Sequence, residues 1–298
     1  MRNLILSLHL GLCAFVSFAQ VKPSAHNMFN RLYFNPAYTG ANDMLMISGN
    51  LAELKLYKYG SLYEVFADAH SPINKKGSNV GLATCFYGIG PYTHSSYKTS
   101  YAYKTKLLNG EIAFGTSLSV NYYKLDSPTW IYPIHDPSVN YTSVFYDFDL
   151  GSYYHDDKMY VGISILDMAK QTITADAGVF ENNRNKNRNF VLMGGYNFIL
   201  NTSLSLQPST NIMFRGRSSY IFLNTLLHYK ESVFGGFVFH FQDYIAPIAG
   251  FNFNTTRSLF RVSYSHKFKS SQLRTMSYHA DELLLTYGFK FNTAKKNK

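Results

Sequence analysis

Cysteine is nearly missing from these 298 residues: there are two, Cys13 and Cys85. A disulfide-stapled secreted scaffold is therefore excluded. Charge is also scarce. Asp, Glu, Lys and Arg make up 15% of the chain, against roughly 25% for an ordinary soluble domain. That argues against a cytosolic α/β enzyme. With 17% aromatics, it also excludes an intrinsically disordered chain, which has few aromatics and many charges. Beyond residue 20 no apolar run approaches the ~18 residues a spanning helix needs, so a helical membrane protein is excluded. A transmembrane β-barrel is not, because its signal per strand is far weaker.

What stands in place of charge is 25 Tyr and 24 Phe beside a single Trp, with abundant Asn, Ser, Thr and Gly. The formal net charge is +10. Residues 1–19 read as a secretory signal peptide: Arg2 is the positive start, Leu4–Phe18 the apolar stretch, and Ser17-Phe18-Ala19 a small-x-small cleavage site before Gln20. Leu12, a large residue, precedes Cys13, which argues against a lipoprotein signal. Cleavage removes Cys13 and leaves Cys85 without a partner for an intrachain bridge.

The period along the remaining chain is two. Ile112, Phe114, Leu118, Val120 and Tyr122 share one face, and Glu111, Ala113, Gly115, Ser117, Ser119 and Asn121 the other. Phe260, Val262, Tyr264 and Phe268 alternate with Arg261, Ser263, Ser265 and Lys267. Residues 282–291 behave likewise, with Leu283, Leu285, Tyr287, Phe289 and Phe291 opposite Glu282, Thr286, Gly288 and Lys290. Such alternation over about ten residues is a strand with one apolar face.

The pattern predicts an antiparallel barrel of about fourteen strands, at 44–51, 61–70, 79–88, 95–107, 111–124, 144–154, 159–166, 189–199, 203–214, 218–229, 232–242, 246–254, 259–268 and 282–292. Tight turns at Asn109-Gly110, His155–Lys158, Asn201-Thr202, Lys230-Glu231 and Thr255–Ser258 fall on every second connection. The long connections, 125–143, 167–188 and 269–281, fall on the others. Short turns at one end and long loops at the other are the habit of outer-membrane barrels, with the short turns periplasmic. The apolar face is expected to meet lipid, the Gly/Ser/Asn/Lys face to line the interior, and the tyrosines to form interfacial girdles. The expected division is a signal peptide at 1–19, a periplasmic N-terminal segment at 20–43, the barrel at 44–292 and a basic tail at 293–298.

Catalytic and metal patterns are not found: there is no HExxH, G-x-S-x-G or phosphate-binding loop. No enzymatic role, cofactor or metal is expected. His94-Ser95-Ser96 reads as a polar outer loop and His155-Asp156-Asp157 as a turn. Asp147 and Asp149 share one strand face and would either form an interior cation site or, the favoured reading since buried charges need partners, pair with interior lysines such as Lys98, Lys104 and Lys106. Residues 182–189 are basic and Asn-rich. Arg184, Lys186 and Arg188 there are candidates for docking an acidic exported protein, beside the plainer reading of a loop solvated near anionic lipid. Nucleic acid is not an expected partner of an exported barrel.

One stretch is more specific. Phe29-Asn30-Arg31-Leu32-Tyr33-Phe34-Asn35-Pro36-Ala37-Tyr38-Thr39-Gly40 resembles the N-P-A-Y-x-G hallmark of the PorP/SprF family. Ala67–Pro72, Tyr101-Ala102-Tyr103 and His279-Ala280-Asp281-Glu282 resemble further family features in the same order. The family's Arg/Gln/Trp cluster after the first strand is missing from Asn50–Lys55. The resemblance implies an outer-membrane protein of the type IX secretion system that holds a large adhesin-like surface protein through that protein's C-terminal domain, as in gliding bacteria. Other secretion components and outer-membrane lipid are the further partners implied. Asn35, Pro36, Ala37, Tyr38 and Gly40 would form a rigid lead-in, either docking periplasmic components or closing the barrel's periplasmic end as a plug. The alternative is a diffusion channel or small-solute transporter.

Overall fold

The computed structural model describes residues 24–56, 60–74, 76–89, 92–125, 141–169, 172–173, 184–185, 188–216, 218–241, 243–269 and 278–290. Residues 1–19 and 293–298, assigned above to a signal peptide and a basic tail, lie outside them. Fourteen antiparallel strands form one barrel. They are β1 (Leu45–Leu56), β2 (Gly60–Pro72), β3 (Ser78–Ile89), β4 (Tyr92–Leu107), β5 (Gly110–Leu125), β6 (Tyr141–His155) and β7 (Met159–Leu166). The other half is β8 (Asn189–Tyr196), β9 (Leu204–Arg215), β10 (Ser218–Tyr229), β11 (Val233–His240), β12 (Tyr244–Asn254), β13 (Ser258–Lys269) and β14 (Tyr278–Phe289). Each strand pairs with its sequence neighbour, and β14 returns to β1 in a register running from Leu45↔Phe289 to Leu56↔Tyr278. The wall therefore has no free edge, as hydrocarbon demands, since it offers exposed N–H and C=O groups no partners. Two short pairs supplement it: Phe198–Ile199 continues along β9, and Thr172–Ile173 pairs with Arg184–Asn185 between β7 and β8.

The outward face is apolar as the alternation predicts. Leu118 is 69% and Tyr146 71% exposed, while Ser117, Ser119 and Asp147 beside them are buried. Tyr103, Tyr196, Tyr229 and Tyr287 are exposed towards the short-turn end, and Tyr63, Tyr122, Tyr264 and Phe268 towards the other. Rings at both levels suit the two interfaces, each satisfying an apolar body, and for tyrosine also a wet hydroxyl.

Part of the inner face is polar as expected, at Asn50, Ser100, Ser117, Ser119, Ser263 and Lys267, and part departs from that lining. Tyr153, Val191, Met193, Phe222, Leu226, Phe234, Val238, Tyr244 and Ile248 point inward and are buried in one cluster with Ala25, Met28, Phe34 and Ala37. The reason is the segment 24–43, which lies inside the barrel. An apolar half-lining is stable there because the segment shields it from water. The N-terminal segment is thus a plug within the wall.

Strand lengths are uneven. β4 and β5 have 16 residues and β6 has 15, while β7 and β8 have 8 each. A tilted strand crosses a bilayer in about 9–11 residues, so β4–β6 rise beyond it. The β6–β7 ladder ends at Leu150↔Ile165, leaving Tyr141–Asp149 standing above β7 at the loop end. His94, expected in a loop, is therefore a strand residue of this raised wall, paired with Tyr123 across β4 and β5. β14 also begins at Tyr278, earlier than the alternation suggests, because His279–Asp281 pair with β13.

Candidate functional site: the luminal plug and the outer vestibule

The plug enters the described structure at Ser24, deep in the barrel. Ser24 Oγ donates to Glu282 Oε2 at 2.7 Å, and the Ala25 N–H donates to Glu282 Oε1 at 3.0 Å. Glu282 pairs with Ala52, well up β1 from its start at Leu45. His26 Nδ1 lies 3.1 Å from the same carboxylate and its Nε2 3.0 Å from Ser263 Oγ. Lys267 forms an ion pair with Glu282. Glu282 is 1% exposed and Lys267 4%, so these charges are tolerable only because each faces a partner. Lower down, Asn27 and Asn224 exchange amide hydrogen bonds at 3.1 Å. Phe29 packs on Phe234, and the Arg261 guanidinium sits 4.3 Å from the Phe29 ring centre.

A four-residue helical turn, Arg31–Phe34, leads into a 3-10 turn, Pro36–Tyr38. Asn35 joins them. Its Oδ1 accepts from the Ala37 N–H at 2.9 Å, and its Nδ2 donates to the Ser152 carbonyl at 2.9 Å. Asn35 has the extended backbone that a residue before proline prefers, and Pro36 occupies the first turn position, where a missing N–H costs nothing. Thr39 Oγ1 is 2.7 Å from the Pro36 carbonyl and 2.8 Å from Ser100 Oγ. The Gly40 N–H donates to His70 Nδ1 at 3.0 Å. Gly40 has φ +72°, and a Cβ there would sit 2.2 Å from Asn79 Oδ1, so both conformation and space require glycine.

The wall is cut away to receive this turn. Gly115 of β5, Gly151 of β6 and Gly162 of β7 all face inward, and Gly115 and Gly151 are cross-strand partners. A Cβ on Gly115 would lie 2.5 Å from the Ala37 N and Cα, and one on Gly151 2.2 Å from Asn35 Oδ1. Ser164, the neighbour of Gly151 on β7, donates to the Phe34 carbonyl.

Asn35, Pro36, Ala37, Tyr38 and Gly40 thus act as one unit inside the barrel. Asn35, Pro36, Ala37 and Gly40 are buried, and Tyr38 is half-buried between the rings of His70 and Tyr153. Only the end of the plug, Asn42 and Asp43, is exposed at the short-turn rim, where Asp43 pairs with Lys104. Arg184 pairs through its backbone with Ile173, Lys186 lies outside the described residues, and Arg188 is exposed. The long connections 125–143, 167–188 and 269–281 fall mostly outside the described residues.

Above the plug, Asp149 pairs with Lys98 at 2.6 Å, as the sequence led us to expect, and accepts from Ser117 Oγ. Lys104 instead meets Asp43 and, at 3.0 Å, Glu111, and Lys106 is exposed. Asp147 and Asp149 accept from the backbone N–H groups of Ala169 and Asp167, which draws the start of the β7–β8 connection inward. The inner face of the raised wall is aromatic. His94 stacks on Tyr123 at 4.2 Å, Tyr123 contacts Tyr92 and Phe145, and Tyr92 reaches Tyr87. All five are partly exposed and, among the described residues, form an aromatic lining at the loop end of the barrel. Among the described residues no group of three or more His, Cys, Asp or Glu is placed to hold a metal.

A closed barrel with an apolar outer band, aromatic girdles and a filled lumen defines an outer-membrane protein. Solved structures agree on the fold. A Pseudomonas aeruginosa FadL homologue superposes with a TM-score of 0.54 at 11% identity, over 92% of this chain and 96% of that one. A TodX deltaS2S3 mutant monoaromatic hydrocarbon channel gives 0.55 at 10% identity, over 87% and 94%. The Ralstonia pickettii toluene transporter TbuX gives 0.53 at 11%, over 90% and 94%. No curated protein sequence matches. Residues 16–287 match the type IX secretion system membrane protein PorP/SprF, and the chain belongs to that family.

The glycine cradle and the Glu282–Lys267–His26 group escaped sequence reading. The glycines stand on three strands with no shared motif. Glu282 was visible as an inward-facing acid, but its partners are 15 and 256 positions away.

Proposed function

We propose that this barrel holds a large, adhesin-like secreted protein at the cell surface, binding that protein's C-terminal domain at the outer mouth. It acts within type IX secretion by binding, without catalysis. The observation that carries the reading is the pairing of a lumen packed by the plug with an aromatic vestibule raised on β4–β6 at the loop end. A plug bonded to inner faces on opposite sides of the barrel, from Glu282 to Ser152 and Ser100, is poor design for a diffusion channel and good design for a rigid receptor. Partly exposed tyrosines supply large contact area at low entropic cost, the trait of binding hot spots.

The test is the double substitution Tyr92→Ala/Tyr123→Ala. Loss of one hot-spot aromatic costs about 2 kcal/mol or more. Surface retention of the cargo is expected to drop at least ~10-fold, with the released protein recovered from the medium and the barrel's heat-modifiable migration unchanged. Undiminished retention by a folded double variant would remove the vestibule from the binding site.

A further inference from the structure

The opposite end of the barrel holds a separate pocket. Its volume is about 310 Å³, and it opens among the plug exit, the β6–β7 turn and the β8–β9 end. That size is at the low end of small-ligand sites. Arg31 forms one wall. Its Nε donates to the Met28 carbonyl at 2.9 Å and its Nη1 to the Tyr153 hydroxyl at 3.0 Å. The guanidinium carbon lies 3.7 Å from the Tyr160 ring centre and 5.7 Å from that of Tyr38. Two of its five N–H groups are used, and among the described residues no carboxylate forms an ion pair with it.

The carboxylates that do line the pocket are differently occupied. Asp156 Oδ1 accepts from the N–H groups of Lys158 and Met159 at 2.8 Å each. Those bonds hold its carboxyl below the usual range and tie it to its own turn. Asp157 is exposed at the rim, as is Lys158. The pocket therefore presents a cation braced by three tyrosines, with three N–H groups still to satisfy. A bidentate carboxylate is the planar acceptor that such a fork matches. The partly exposed Tyr38 and Met159 offer apolar wall beside it, and Asn42, Asn197 and Gln207 offer amide partners for a peptide backbone.

The geometry points to a receptor pocket for the C-terminal carboxylate of a peptide ending in an apolar residue, supplied from the short-turn, periplasmic side. The carboxylate takes the free N–H groups of Arg31, the last side chain lies against Tyr38 and Met159, and the preceding amides meet the rim. This site is independent of the outer vestibule and of what binds there.

The experiment uses the full barrel purified in detergent and three probes: N-acetyl-Ala-Phe with a free carboxylate, its C-terminal amide, and N-acetyl-Glu amide. Calorimetric titration is expected to show the free acid binding at least ~10-fold more tightly than either other probe. Arg31→Gln should abolish that preference. Because Arg31 also braces the plug, Asn197→Trp serves as a second variant that fills the rim without touching the plug, and it should block the acid as well. Equal binding of acid and amide, no binding of the acid at millimolar concentration, or acid binding undiminished in a folded Arg31→Gln or Asn197→Trp barrel would overturn the assignment. Preference for N-acetyl-Glu amide would also overturn it, in favour of an acidic side chain.

Discussion

Lys267→Met is expected to destabilise the barrel by about 3–5 kcal/mol, the usual result of stranding one charge of a buried pair. Glu282 would keep its bonds from Ser24, Ala25 and His26 but lose, among the described residues, its only counter-ion that does not depend on histidine protonation. The penalty falls on the plug, whose first described residues are held by that carboxylate. Urea unfolding of the purified protein, with protease sensitivity of the plug followed in parallel, measures both effects. Neutralising the partner as well, in Lys267→Met/Glu282→Gln, removes the stranded anion and should recover more than half of the loss. A single-variant loss below about 1 kcal/mol would mean that the ion pair is not what seats the upper plug.

The second large effect concerns the glycine cradle. Gly115→Val and Gly151→Val each push a side chain into the plug backbone or into an Asn35 amide that already makes three hydrogen bonds. Overpacking ordinarily costs about 1–3 kcal/mol. At Gly115 the obstruction is backbone atoms of Ala37 and Pro36, so relief there requires the motif to leave its seat; at Gly151 it is the Asn35 amide and the Pro36 ring. The expected readout is electrical. The unaltered protein in a planar bilayer should show no steady conductance, and the double variant should show open-channel steps. Gly235→Ala is the control, since its Cβ meets nothing closer than 3.7 Å, and it should stay silent. Steady conductance of the unaltered protein would favour the transporter reading.

Much of the wall was legible because a barrel strand has only two faces, and lipid demands one of them be apolar. Leu118 outward with Ser117 inward is the pattern read from alternation alone, and Asp147 lies inward as expected of a residue sharing the face of Asp149. The five tight turns all fall at one end of the barrel, but the other end mixes the three long connections with equally tight ones, such as those between Ile89 and Tyr92 and between Arg215 and Ser218. The interior was less legible, because an inward residue can be apolar when something inside the barrel covers it. Leu284 shows this. It lies between Leu283 and Leu285, all three apolar, yet it is 0% exposed while its neighbours are 40% and 45% exposed. The motif Asn35–Gly40 was readable as a rigid turn from its proline and glycine. Its seat was not, since that depends on Gly115, Gly151 and Gly162, which come together only through strand register. The raised wall was hidden too, because alternation continues unchanged where a strand leaves the membrane.

The most direct measurement is gentle detergent extraction from the native membrane, affinity capture of this barrel, and mass spectrometry of what accompanies it. The receptor reading predicts near-stoichiometric recovery of one very large secreted protein, lost when that protein's C-terminal domain is deleted. A barrel recovered alone, with its plug intact and its vestibule empty of any secreted partner, would contradict it.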